Sequence, residues 1–258
     1  MPEETDESPS VGPECSTESG NGKFPDTRWS LIVSARAENS VIVSRALQEL
    51  CQLYWMPVYC YIRRRGSSPE DAEDLTQGFF AQFLQRQDFS TVKSEKGKLR
   101  SYLLKSVSHY LADQFDKRNA LKRGGGQVVL SIDQASAEEG YQSQLEPRDD
   151  ASPDLLFEKR WAVTLLGNVL NDLRENYDKQ RKGLLFETLQ PYLSGTAGES
   201  PLAEAAATLG MAERAVRVAL FRLRRRYGEA LRAAILETVV DPAEVDDELN
   251  YLFTVIRQ

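Results

Sequence analysis

The stretch that decides the fold runs from Pro201 to Tyr227 and reads PLAEAAATLGMAERAVRVALFRLRRRY. Leu202, Ala205, Ala206 and Leu209 recur three or four residues apart, which predicts a short helix over Leu202–Thr208. The alanines are small enough to let a second helix cross closely. Gly210 supplies the backbone freedom of a left-handed corner, and Met211 follows it as an apolar plug. A longer helix is predicted over Ala212–Leu236, with Ala215, Val216, Ala219, Leu220 and Leu223 on its inner face. A short helix, a glycine corner and a second helix predict a helix-turn-helix. Ala212 stands where a capping Ser or Thr is expected, so the start of the second helix is weakly specified. In this motif the second helix enters the major groove with its N-terminal part leading. Glu213, Arg214 and Arg217 are therefore the candidates for base-edge contact, and an arginine fork fits O6 and N7 of guanine. Arg222, Arg224, Arg225 and Arg226 lie on several sides of the helix. Not all can reach DNA, and Arg222 and Arg225 are taken as its further contacts.

The charge around this unit is segregated. The 258-residue chain carries a formal net charge of -7, which on its own argues against a nucleic-acid partner. Yet from Glu213 to Arg232 seven arginines face two glutamates, and from Lys93 to Arg123 nine basic residues face three acidic ones. Between these blocks, Asp133–Asp154 holds seven acidic residues against one basic, and Glu237–Glu248 holds six with no basic residue. Two basic blocks set apart by acidic ones predict two contacts with a polyanion. No run of eighteen apolar residues occurs, so no membrane span is expected. Met1–Asn21 lacks the basic and apolar regions of a secretory signal and reads as a disordered acidic tail, so a cytoplasmic protein is expected. Cys15, Cys51, Cys60 and the single His109 do not have the spacing of a zinc site. No metal or cofactor is expected. No phosphate-binding glycine loop, nucleophile elbow or carboxylate pair is visible either, so the chain does not read as an enzyme.

Working back toward the N-terminus, a short helix is expected over Trp29–Ala37 and a longer one over Ser40–Arg65, where Pro57 either kinks the helix or begins a new one. Ser68 reads as an N-cap, with Pro69 at the first helical position and Asp71 three residues past the cap. Ala72, Leu75, Phe79 and Phe83 make the apolar stripe of that helix. Asp71, Asp74 and Gln77 lie on another face, for which a solvated surface is an equally good account. After a basic loop at Lys93–Lys98, helical periodicity resumes over Leu99–Lys117, with Arg100, Lys105, Lys117 and Arg118 on its polar side. Gly124, Gly125 and Gly126 break it, and Gln127–Pro153 reads as an acidic linker. Ser152 caps the next helix, Leu155–Leu173. Lys182–Leu193 reads as another, followed by a loop over Ser194–Ser200 and a short final helix over Glu244–Ile256. The expectation is an all-α protein, two small helical bundles joined by a linker.

Three segments together resemble a bacterial RNA polymerase sigma factor of the extracytoplasmic-function (ECF) type in the sigma-70 family. AAATLGMAERAVRVALFRLRRRY resembles its promoter-binding helix-turn-helix. SPEDAEDLTQGFFAQFL, Ser68–Leu84, resembles its helix that docks on the polymerase clamp, and LRSYLLKSVSHYLADQFDKR, Leu99–Arg118, the segments that open and read the upstream promoter element. The resemblance implies that Asp71, Asp74 and Gln77 contact polymerase. It implies that Arg100, Lys105, His109 and Arg118 serve DNA contact or strand opening, with His109 where the family usually has Asn. A flipped base held in a pocket would explain how a small helical domain melts DNA.

The implied organisation is an acidic tail over residues 1–23, a polymerase-binding and promoter-opening domain over 24–123, and an acidic linker over 124–153. A helix-turn-helix domain over 154–240 and an acidic C-terminal tail over 241–258, with a short helix, complete it. The implied partners are core RNA polymerase and promoter DNA, and an anti-sigma factor joins them as a candidate. The competing reading is a helix-turn-helix regulator that works without polymerase. It requires a dimer on a palindrome and leaves Ser68–Leu84 without a role.

Overall fold

The structure is a computed structural model, and it describes residues 40–85, 98–121, 152–194, 202–239 and 241–258. The described residues are helical, with one isolated antiparallel bridge between Lys98 and Val239. The helices expected at Trp29–Ala37, the acidic linker up to residue 151 and the 195–201 loop lie outside them.

Helix α1 (Ser40–Arg64) continues across Pro57, which is buried, so no new helix begins there. Tyr54, Val58, Tyr61 and Ile62 repeat on one side and are buried, so packing of that face holds the helix although a proline costs it a backbone hydrogen bond. Gly66 ends α1 at φ 95°, and its N–H donates to Arg63 O at 3.0 Å. Helix α2 (Pro69–Gln85) begins as expected, with Asp71 N–H donating to Ser68 Oγ at 3.1 Å. Its stripe of Ala72, Phe79 and Phe83 is buried, and Phe80 stacks on Trp55 of α1 with ring centroids 5.7 Å apart. Helix α3 (Leu99–Leu121) closes this half through Leu99, Leu103, Val107 and Tyr110.

Helix α4 (Pro153–Lys179) is the spine of the molecule. Leu155 N–H donates to the capping Ser152 Oγ at 3.1 Å. Near its start, Phe157 packs between two residues of α1, stacked on Tyr54 at 6.3 Å and edge-on to Tyr61 at 6.4 Å. Near its end, Tyr177 meets Phe186 at 5.6 Å. Trp161 and Phe157 are fully buried between these ends, and truncating such an aromatic costs about 3–5 kcal/mol. One core therefore runs through both halves. The helix is longer than the periodicity of Leu155–Leu173 predicts because Tyr177 continues its buried face.

The segment expected as one helix over Lys182–Leu193 is two, α5 (Gly183–Leu189) and α6 (Pro191–Ser194). Pro191 has no N–H to continue the ladder, which divides them. Helices α7 (Leu202–Leu209) and α8 (Glu213–Leu236) follow. Asp241 then caps a 3₁₀ turn over Pro242–Glu244, and α9 (Val245–Arg257) ends the chain. Val245, Glu248, Leu252 and Val255 of α9 are buried, so this acidic segment is a packed element on α4 and α8. No described helix is long and apolar enough to cross a membrane.

Candidate nucleic-acid and polymerase interface

The turn between α7 and α8 is built as its sequence requires. Gly210 sits at φ 59°, a left-handed conformation that costs other residues steric strain. Met211 N–H reaches back to Ala206 O at 3.0 Å. Ala205 and Ala206 are buried at the crossing, whereas Met211 is exposed, so the plug expected there is not seated. Ala212 gives α8 no side-chain cap. Its carbonyl accepts from Ala215 and Val216, and Glu213 places a carboxylate in the first turn, where the helix dipole favours it.

The inner face of α8 is Val216, Leu220, Leu223, Leu231 and Ile235, all buried. Their spacing turns Arg214, Val218, Phe221, Arg222 and Arg225 outward. Arg214 and Arg225 are about 16 Å apart along the axis at about 1.5 Å per residue, roughly five base pairs of B-form duplex. Arg217 flanks this face and is ion-paired with Glu213 one turn earlier. Arg225 pairs with Glu229 at 2.8 Å. The other three arginines of the helix are used within the protein, Arg232 in an ion pair with Asp246 at 2.5 Å. Arg224 donates to Tyr192 O at 3.3 Å, and Arg226 lies over the Tyr177 ring. Sequence reasoning missed Val218 and Phe221, which are 44% and 68% exposed on the outward face. Their signal was present, since both fall out of phase with the inner stripe.

On α3, Lys105 and His109 are exposed and one turn apart, on a face continued by Ala112 and Asp116. The side chain of Arg118 lies outside the described residues. Arg100 does not join this face. It is 6% exposed and shares the inward side of α3 with Leu103 and Val107. Sequence reasoning grouped it with Lys105 as one polar side, but five residues advance a helix by about 500°, which puts the two on different faces. Arg100 Nε donates to Glu248 Oε1 at 2.5 Å, its NH2 to Glu248 Oε2 at 3.2 Å and its NH1 to Glu158 Oε1 at 2.5 Å. Tyr251 covers the guanidinium at 3.9 Å from the ring centroid and Trp161 flanks it at 5.4 Å. Burial opposes the charge on Arg100, yet the Glu248 hydrogen bond and the charges of Glu158 and Glu248 hold its pKa above the ordinary value. Burial also raises Glu158, with Arg100 pulling the other way.

Near the end of α3, Phe115 is 67% exposed. It borders an open cavity of about 420 Å³ lined by Arg65, Ser67, Leu75, Leu111 and Asp116 among others. On α2, Asp74 is exposed, and Asp71 and Gln77 are half-buried. Gln77 donates to Glu73 Oε1 at 3.2 Å, which fixes its amide on that side of the helix. Among the described residues no group of His, Cys, Asp and Glu is arranged to hold a metal ion.

Neither a curated protein nor a solved structure matches the chain. The ECF sigma factor family does match, over residues 62–233, about two-thirds of the sequence and across both halves of the fold. The chain thus belongs to the ECF sigma factor family, a sigma factor of transcription initiation.

Proposed function

We propose that the protein is a promoter-specific initiation factor in which α8 reads duplex DNA, the outer face of α3 helps open it, and α2 docks on core RNA polymerase. The observation that carries this reading is the outward face of α8. Arginines there alternate with two exposed apolar side chains while every buried position is satisfied by the core. Arg214 and Arg217, near the N-terminus of the helix, are placed for base edges. Val218 and Phe221 offer apolar surface to thymine methyl groups, and Arg222 and Arg225 reach phosphates. The pair α7 and α8 with its Gly210 corner supports the helix-turn-helix assignment.

Lys105 and His109 form the strand-contact face of α3. The cavity beside Phe115 is the proposed receiver for an unpaired base, because an exposed aromatic ring offers a stacking platform and Arg65 a cation at the same site. Asp71, Asp74 and Gln77 form the polymerase-docking face. Two modest DNA contacts on one chain reinforce each other through effective concentration.

The test is transcription of genomic fragments by core polymerase with and without the protein, with the 5′ ends of the transcripts mapped. The reading expects protein-dependent starts that share two upstream elements. Starts that do not depend on the protein, or share no element, contradict it.

A further inference from the structure

The buried ion cluster around Arg100 joins three elements that lie far apart in the sequence. Arg100 comes from α3, Glu158 from α4 and Glu248 from α9, and Lys98 adds a second cation at 2.8 Å from Glu248 Oε2. Beside it, Leu99 N–H donates to Thr238 O at 3.2 Å, the bond of the isolated bridge between the two halves. Farther along, Asp246 of α9 pairs with Arg232 of α8 at 2.5 Å. The first turn of α9, with Asp246, Asp247 and Glu248, thus places a carboxylate on a cation of each basic helix. These are charges that DNA phosphates would otherwise compete for. The family match ends at residue 233 and leaves α9 outside it.

The cluster is poorly suited to being a permanent core. Among the described residues, Glu158 Oε2 is buried without a hydrogen-bond partner. Buried ionic groups add little stability over apolar ones, and their best-attested use is to specify or switch an arrangement. That unsatisfied buried oxygen further lowers the cost of opening, because water meets it once the seam parts.

We propose that α9 is an intramolecular clamp that imitates nucleic-acid charge, holding α3 against the α8 half and keeping Arg100 from DNA until the seam opens. Leaving with the α8 half, α9 removes two of the three hydrogen bonds on Arg100 together with the Tyr251 ring above it. Arg100 then keeps only its bond to Glu158 and opens to solvent at the start of α3, one face round from the Lys105 and His109 strand-contact face of the reading above. The DNA part of this inference rests on that reading. The clamp itself does not.

The test uses the full chain. Leu99 is the first residue of α3, so its N–H has no partner inside its own helix and its hydrogen exchange reports the junction alone. Glu248→Gln is expected to speed exchange at Leu99 by about tenfold or more while buried amides of α1 stay protected, and Asp247→Asn, an exposed control, to change neither. Unchanged exchange at Leu99 in Glu248→Gln overturns the clamp. If that variant unfolds, shown by faster exchange throughout α1, Asp246→Asn is read by the same criterion.

The second measurement is anisotropy of a labelled mixed-sequence single-stranded oligonucleotide at fixed salt. Glu248→Gln is expected to bind several-fold more tightly than the parent, and Arg100→Gln/Glu248→Gln to lose that gain. A gain that survives in the double variant, or faster exchange with no gain at all, overturns the role given to Arg100. Absence of binding by every form strikes the strand-contact reading of α3 instead, and the exchange result still decides the clamp.

Discussion

Arg226 holds its guanidinium 5.5 Å from the centroid of the Tyr177 ring, joining α8 to the end of the spine helix α4. Its neighbour Arg225 turns the other way, 73% exposed, and pairs with Glu229 on its own helix. Adjacent arginines in the run RLRRRY therefore do different work. Arg226→Ala is expected to lower stability by about 0.5–1 kcal/mol and to leave the salt dependence of DNA binding unchanged. Arg222→Ala and Arg225→Ala are expected to leave stability within about 0.5 kcal/mol and to reduce the slope of log affinity against log salt by about one each. Denaturant melts and binding titrations at several salt concentrations check both. A loss of slope for Arg226→Ala would contradict the division.

Arg217 is held beside the reading face by Glu213. If it reads a base, Arg217→Ala costs about 1–3 kcal/mol on the preferred site and relaxes preference at one position. Binding selection from a randomised duplex pool measures this. An equal loss on every sequence would assign Arg217 to the backbone instead.

Gly210 is the corner on which α8 is aimed. At φ 59° an added Cβ meets no neighbour but forces a left-handed backbone. Gly210→Ala is thus expected to cost roughly 1 kcal/mol, and Gly210→Asn less, since Asn tolerates that region better. Urea melts of the two variants give the comparison. Equal stability of parent and Gly210→Ala would show that the strain is relieved elsewhere.

Acidity should act on the junction through Glu158. It faces Arg100 of α3, Lys98 just before it, Glu248 and Tyr251 of α9 and Tyr54 of α1. Its folded pKa lies above the ordinary carboxylate value, chiefly through burial. A raised carboxylate binds its proton more readily in the fold, so its contribution is fully present below the unfolded pKa and fades as pH rises through the folded one. As pH falls toward 4.5, the melting temperature of the parent is therefore expected to rise relative to Glu158→Gln, which cannot titrate. A constant or falling difference would contradict the assignment.

The helices were legible where their signals are local. Ser68 and Ser152 cap as their sequences require, Gly210 turns, and the stripes of α2, α3 and α8 are buried. The outward arginines of α8 followed from the same periodicity. Arg100 was not legible, because its partners Glu158 and Glu248 lie 58 and 148 positions away and no local pattern pairs them. The role of α9 was hidden for a related reason. Its first turn is acidic enough to read as a solvated tail, and only the packed fold shows Glu248 facing a cation. Val218 and Phe221, though out of phase with the inner stripe, carry little functional signal in the sequence, because single exposed apolar side chains are ordinary on protein surfaces.

The central claim is that this chain joins core RNA polymerase to form an initiating complex, and stoichiometric binding to purified core polymerase tests it most directly. The account predicts co-elution of the protein with core polymerase on size exclusion, weakened when Asp74 on the exposed face of α2 is changed to Lys. If the protein elutes alone at every concentration tested, the polymerase-dependent account is contradicted.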